Sequence, residues 1–290
     1  MRVAGNKLIH LKNFFLTELA AETELSEIEA QFSITVEHYL GLSRSQQYLH
    51  LDDHVNQSDL LNIYNCAKAI KNNQPIQYIL GKAHFYGLDF LVNSSVLIPR
   101  PETEELCDLI LREKHKYQSA LDIGTGSGCI PITLKKHLAH CKVHACDISN
   151  EAIITAQSNA SLHEVEIHFF LCDILNQSPK DDNQLLKFDL IISNPPYILD
   201  SEKERMQAQV LNREPHLALF VNGEDAIIFY RKIIDLCGVQ LNTEGHLFFE
   251  LNPLSSADVL NYANKSQNFS SVEILKDMSG KDRFLKAIKR

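Results

Sequence analysis

Leu121-Asp122-Ile123-Gly124-Thr125-Gly126-Ser127-Gly128 is an apolar run that breaks into three glycines at alternate positions. Residues without Cβ let the chain turn sharply and let a ligand approach the backbone. Pro131 follows in what should be the first turn of a helix, where its missing N–H is harmless. The spacing is not the G-x-G-x-x-G of dinucleotide binders, and no lysine follows as in a phosphate-binding P-loop. Nineteen residues past Gly128, Asp147 closes the run Val143-His144-Ala145-Cys146. A carboxylate at that strand end is placed to accept both hydroxyls of a ribose. Asp173 ends the next strand and is placed to meet an adenine amino group. A nucleoside-bearing cofactor held by Gly124 to Gly128, Asp147 and Asp173 is therefore expected.

Outward from this stretch, strands and helices alternate. Strands are expected at 143–146, 167–172, 188–193 and 246–251, with helices from 130 and at 151–160, 225–237 and 255–265. Closing strands follow at 271–276 and 283–288. Such alternation gives a mostly parallel sheet with helices on both faces. The closing pair, joined by a few residues around Gly280, must be antiparallel, because a parallel crossover needs a longer link.

Upstream, residues 1–74 read as a small helical domain. Leu8, Leu11, Phe14, Phe15 and Leu19 recur at helical spacing. Ser26 and Glu29 suggest a capping box for a helix ending at Gly41, and Ser58 or Asp59 a cap for a third helix ending before Pro75. Residues 75–96, with Tyr78-Ile79-Leu80 and Phe85 to Phe90, read as a linking β-hairpin, and 97–290 as the catalytic domain. Leu97 to Pro101 should be extended, since each proline biases its predecessor away from the helical region.

The 28 basic and 37 acidic residues give a net charge of -9, a poor footprint for binding naked nucleic acid. Seven cysteines without a C-x-x-C pair form neither a disulfide framework nor a zinc module and fit a reducing cytoplasm. The 13 histidines are scattered, so no metal is expected. No run reaches the 18 or so apolar residues of a membrane span, and the first residues lack signal-peptide order.

Asn194-Pro195-Pro196-Tyr197 ends the run Phe188 to Ser193. An amide or amino nitrogen has its lone pair delocalised, so it attacks a methyl sulfonium only if the pair is aimed. The Asn194 side-chain oxygen and the Pro195 carbonyl can each accept one of its N–H groups and fix it. Two prolines stiffen the turn, and Tyr197 offers a ring face for a planar group. With the glycine turn, this points to methyl transfer from S-adenosylmethionine to nitrogen, leaving S-adenosylhomocysteine. An ordinary Asn-Pro turn is the bland alternative. Phe85 and Tyr86 are candidates for the substrate entrance or for packing, and Arg100, Glu102 and Glu104 for a charged helix start or the methionine end of the cofactor. The charged loop 200–214 is either a substrate rim or merely solvated.

From about Gln74 onward the chain resembles the release factor glutamine methyltransferases, the HemK-type protein-(glutamine-N5) methyltransferases. The resemblance rests on Gln77 to Gly81, Phe85-Tyr86-Gly87, Leu97 to Leu106, Leu121 to Ile130, Ile192 to Ile198, Glu214 to Leu219 with Gly223-Glu224-Asp225, and Lys276 to Arg283. It implies a five-helix N-terminal domain and a Rossmann-like class I methyltransferase sheet of seven strands. It implies as substrate the Gly-Gly-Gln glutamine of peptide chain release factors, whose methylation modulates translation termination. Carried over, Gly124 to Gly128, Asp147, Asp173, Ile174 and Asn194 hold the cofactor, and Asn194, Pro195, Pro196 and Tyr197 hold the glutamine and act in catalysis. The chain departs from the family at Glu250-Leu251-Asn252-Pro253-Leu254, where Glu-Ile-Gly with a Gln three residues on is usual after the fifth strand, and at Ile174, where a tryptophan or phenylalanine is common. The rivals are an adenine-N6 nucleic-acid methyltransferase, which grips a flipped base with the same tetrapeptide, and a non-catalytic binding module.

Overall fold

Apolar side chains at helical spacing build the first of two units, Met1–Gly81 and Lys82–Arg290. The computed structural model describes residues 5–21, 23–181, 184–205, 208–221 and 223–290. In the first unit α1 (Leu8–Leu19), α2 (Leu25–Leu40), α3 (Arg44–Leu49), α4 (Gln57–Lys71) and α5 (Ile76–Leu80) give the five helices that the resemblance implied. Leu8, Leu11, Phe15 and Leu19 pack with Phe32, Val36, Ile63 and Ala67 in one core. The Glu18 carboxylate, buried beside it, accepts from Lys68 and Lys71 at 2.9 Å each, and those bonds hold its pKa below the usual value.

Three local expectations need correction. Ser26 is inside α2, whose N-cap is Glu24 with no side-chain cap bond; the capping box forms at Ser43 and Gln46 of α3. Neither Ser58 nor Asp59 caps α4; Asn56 does, accepting from the Asp59 N–H at 2.9 Å. Tyr78 to Leu80 are helical, because Pro75 starts α5 and its carbonyl receives the Tyr78 and Ile79 N–H groups.

In the second unit the hairpin pairs β1 (Lys82–Phe85) with β2 (Leu88–Leu91), and α6 (Pro101–Arg112) follows. Then come β3 (Ser119–Ile123), α7 (Cys129–His137), β4 (Lys142–Asp147), α8 (Asn150–Leu162) and β5 (His168–Leu171). A minor hairpin of β6 (Lys180–Asp181) and β7 (Gln184–Leu185) leads into β8 (Phe188–Ser193). Short helices α9 (Ala208–Arg213) and α10 (His216–Leu219) precede α11 (Ile228–Gln240), β9 (Leu241–Glu250), α12 (Ser256–Lys265), β10 (Phe269–Lys276) and β11 (Asp282–Lys289).

The seven-stranded sheet has the order β10-β11-β9-β8-β3-β4-β5, parallel except where β11 meets its two neighbours. Alternate residues feed two cores. Leu121, Ile123, Ile191, Leu247 and Phe249 pack with Tyr230 and Ile233 of α11, while Ala120, Leu190, Ile192 and Phe248 pack with Leu106 and Ile110 of α6 and Ile130 of α7. The chain steps from β3 outward to β4 and β5, then returns to place β8 on the other side of β3. That reversal opens a crevice beyond the carboxyl ends of β3 and β8, where open α/β sheets bind ligands.

Candidate active site

The loop after β3 is a left-handed turn repeated. Gly124, Gly126 and Gly128 have φ of 77°, 55° and 79°. A Cβ on Gly124 or Gly126 would meet nothing within 4 Å, so bare backbone faces open space, whereas one on Gly128 would sit 3.1 Å from the Ala156 Cβ. The first two glycines thus keep room for a ligand, and the third lets α7 pack on α8. The Gly124 and Thr125 N–H groups donate to the Cys146 carbonyl at 2.9 and 3.0 Å, tying the loop to the end of β4. Asp147 stands there, its oxygens accepting the Gly126 and Ser149 N–H groups at 2.9 Å each. Burial raises its pKa while these N–H groups oppose the rise.

A cavity of about 530 Å³ lies at the crevice, within the range of small-molecule sites. Of the expected residues, Gly124, Gly126, Asp147, Asp173, Ile174, Asn194, Pro195 and Pro196 line it. Thr125, Ser127, Gly128 and Tyr197 are not in its wall; Thr125 and Ser127 are buried, and Tyr197 packs against the core around Tyr230. Burial pushes the Tyr197 phenol well above its ordinary pKa. Asp173 spends part of its acceptor capacity on the Leu175 N–H (3.1 Å) and the Asn176 amide (2.7 Å). Phe85 is fully buried in the α6-side core, and the Tyr86 hydroxyl reaches Asp108 at 3.4 Å, so neither lines the cavity.

The turn after β8 is anchored by the Ser193 hydroxyl, which donates to the Ile123 carbonyl at 2.6 Å. The Asn194 Nδ2 faces the Thr103 Oγ1 at 3.4 Å, and that hydroxyl donates to the Glu250 carboxylate at 2.7 Å. Glu250 is buried, which pushes its pKa up to about 7 against the opposing Thr103 bond and Arg283 charge. The neighbours of Thr103 at the start of α6 are equally committed. Arg100 pairs with buried Glu214 at 2.6 Å, Glu104 accepts the Tyr86 N–H at 2.8 Å, and Glu105 accepts the Met278 N–H at 2.9 Å. The start of α6 therefore ties together several separate segments of the unit.

Sequence reading missed Thr103, Glu250 and Asn159. The buried Asn159 amide holds both backbone groups of Leu91 and the Ser127 carbonyl, fixing the glycine loop to β2. An Asn in a helix interior carries no signal of this. Asp122, beneath the loop, is buried, which pushes its pKa up to about 7, a hydrogen bond from the Thr125 hydroxyl opposing and the Asp147 charge adding. The loop 200–214 is in part helical, at η1 (Asp200–Arg205) and α9; positions 206 and 207 lie outside the described residues. Among the described residues no three His, Cys, Asp or Glu could hold a metal, and no helix is long and apolar enough to cross a membrane.

A glycine turn and a carboxylate at successive strand ends, on a sheet whose last pair is antiparallel, define a class I S-adenosylmethionine-dependent methyltransferase. Residues 104–236 match the family model described as Methyltransferase small domain, and 15–81 match the PrmC N-terminal domain. A methyltransferase structure from Pyrococcus furiosus aligns with TM-score 0.54 at 21% identity, over 78% of this chain and 98% of that one. The release factor glutamine methyltransferase of Flavobacterium psychrophilum is 43% identical over 95% of this chain and 98% of its own length. That of Bacteroides thetaiotaomicron is 42% identical over 86% and 88%. The chain belongs to the release factor glutamine methyltransferase family.

Proposed function

We propose that this protein transfers a methyl group from S-adenosylmethionine to the side-chain amide nitrogen of the glutamine in the Gly-Gly-Gln motif of peptide chain release factors. The observation that carries the reading is that one cavity is walled by both the glycine loop and the Asn194-Pro195-Pro196 turn. The bare backbone at Gly124 and Gly126 and the Asp147 carboxylate fit the cofactor. Asp147 takes the ribose hydroxyls, Asp173 the adenine amino group, and Ile174 an apolar edge of the base. S-adenosylmethionine, when bound, supplies an electrophilic methyl on its sulfonium. Asn194 and the Pro195 carbonyl hold the two N–H groups of the glutamine amide, which aims the nitrogen lone pair. These two acceptors would stabilise the positive charge that grows on nitrogen as the methyl–sulfur bond breaks and the C–N bond forms, leaving S-adenosylhomocysteine, and the proton then lost from nitrogen would pass to solvent.

The helical unit, residues 1–74 by the sequence reading, recognises the folded release factor. Seven free, buried cysteines suit a reducing compartment, and we place the reaction in the cytoplasm. Adenine-N6 methylation is not favoured, in keeping with the net charge of -9 and the names of the relatives. Mass spectrometry of a release factor incubated with the protein and S-adenosylmethionine tests the reading. One added methyl on the loop glutamine is expected; methylated adenine in nucleic acid and an unmodified release factor would transfer the case to the rival.

A further inference from the structure

We propose that Thr103 and Glu250 are positioning residues that fix which way the Asn194 amide faces, through a relay running from Asn194 Nδ2 to Thr103 Oγ1 to the Glu250 carboxylate. A threonine hydroxyl has one proton to give and lone pairs to receive. Thr103 gives its proton to Glu250 Oε2 at 2.7 Å, the shorter contact of the two. With Glu250 ionised, it can then only accept from Asn194, so the group 3.4 Å away is the amide NH2. The Asn194 amide also reaches the Glu250 carboxylate directly, which takes the same NH2 end, so its oxygen occupies the other branch of the planar amide, away from both partners, and Asn194 lines the cavity.

The orientation matters because the two ends of an amide have nearly the same shape and opposite hydrogen-bond character. With the amide inverted, an N–H would meet the N–H of the incoming glutamine, and the lone pair would not be aimed. Glu250 is itself held in place. Arg283 lies near it, pairs with Asp277 at 3.2 Å and donates to the Leu251 carbonyl, so the carboxylate sits in a fixed field. Arg100, Glu104 and Glu105 use the same helix start to tie down other segments, whereas the bonds of Thr103 lead to the reactive turn.

The inference rests on the reaction proposed above, so its test has two arms, both on the full chain. Thr103→Val keeps the branched shape and removes the hydroxyl; Thr103→Ser keeps the hydroxyl. With release factor as substrate, Thr103→Val should lower kcat about 10–100-fold, as loss of an orienting partner does. KM for release factor and calorimetric affinity for S-adenosylmethionine should stay within about twofold, and Thr103→Ser should recover most of kcat. An unchanged kcat in Thr103→Val, an equal loss in both variants, or a matching loss of cofactor affinity overturns the relay. The second arm needs no substrate. The Asn194 side-chain amide protons, followed by NMR, should exchange slowly with solvent in wild type and Thr103→Ser and quickly in Thr103→Val; equal exchange in all three overturns the relay. A wild-type protein that adds no methyl to release factor refutes the reaction and leaves the amide-exchange arm to decide the relay.

Discussion

Asp147 uses one lone pair on each oxygen for the Gly126 and Ser149 N–H groups and retains others for a ligand. Asp147→Ala should therefore weaken S-adenosylmethionine binding by about 1.5–3 kcal/mol, the range for hydrogen bonds to a charged group. Titration calorimetry on the folded variant measures this, and unchanged affinity would remove Asp147 from the cofactor site. Asn194 should act chiefly as charge develops on the substrate nitrogen, so Asn194→Ala should lower kcat about 10²-fold or more with cofactor affinity nearly intact. Normal turnover of release factor by that variant would refute the positioning mechanism. Both positions could be read from sequence because each closes an apolar run, and a run names its own strand end. Thr103 and Glu250 could not: 147 residues separate them, and only the packing of α6 against the sheet brings hydroxyl to carboxylate.

Long apolar periodicities gave the helices and strands their places, and the misses fall where local bonding outweighs pattern. Asn56 wins the cap of α4 because its side chain reaches the N3 amide, a choice that Ser58 and Asp59 make look equally good in one dimension. β9 starts at Leu241, five residues before the expected His246, and a register shift opposite Phe188 and Leu190 absorbs the extra residues. Its polar Asn242, Thr243 and Glu244 hid that start, since a bulge carries no hydrophobic signature. Gly128 tests the helix packing directly. Alanine there must adopt a φ near 79° and push against Ala156 and Ile132 at 3.1 and 3.2 Å. Gly128→Ala should cost about 1–3 kcal/mol from backbone strain alone, with crowding added. Thermal unfolding reads it; an unchanged Tm would mean that α7 and α8 can part without penalty.

Two buried carboxylates make the stability of the whole protein depend on pH in an unusual direction. Asp122 and Glu250 have folded pKa values raised to about 7, from 3.8 and 4.5, with burial the largest cause in each. Between about pH 4 and 7 the folded state therefore binds more protons than the unfolded, and these groups make stability fall as pH rises through that window. Subtracting the Tm profile of Asp122→Asn from that of wild type between pH 5 and 8 isolates residue 122. The difference should move against wild type as pH rises, and a flat difference would show that Asp122 titrates normally. Substrate recognition is the second property of the whole chain. Each unit has its own core: Leu8 to Ile76 in the first, residues from Phe85 onward in the second. A glutamine at a loop tip offers little contact area, while specific protein partners bury about 1,200–2,000 Å². On the proposed function the helical unit supplies that surface, and Lys82–Arg290 should still bind S-adenosylmethionine when Met1–Gly81 is removed. Its KM for release factor should rise steeply, and a short Gly-Gly-Gln peptide should be a poor substrate for both forms. Calorimetry and steady-state methylation on the truncated chain separate the two effects. A truncated protein that binds cofactor and keeps the full-length KM would show that recognition resides in the catalytic unit instead.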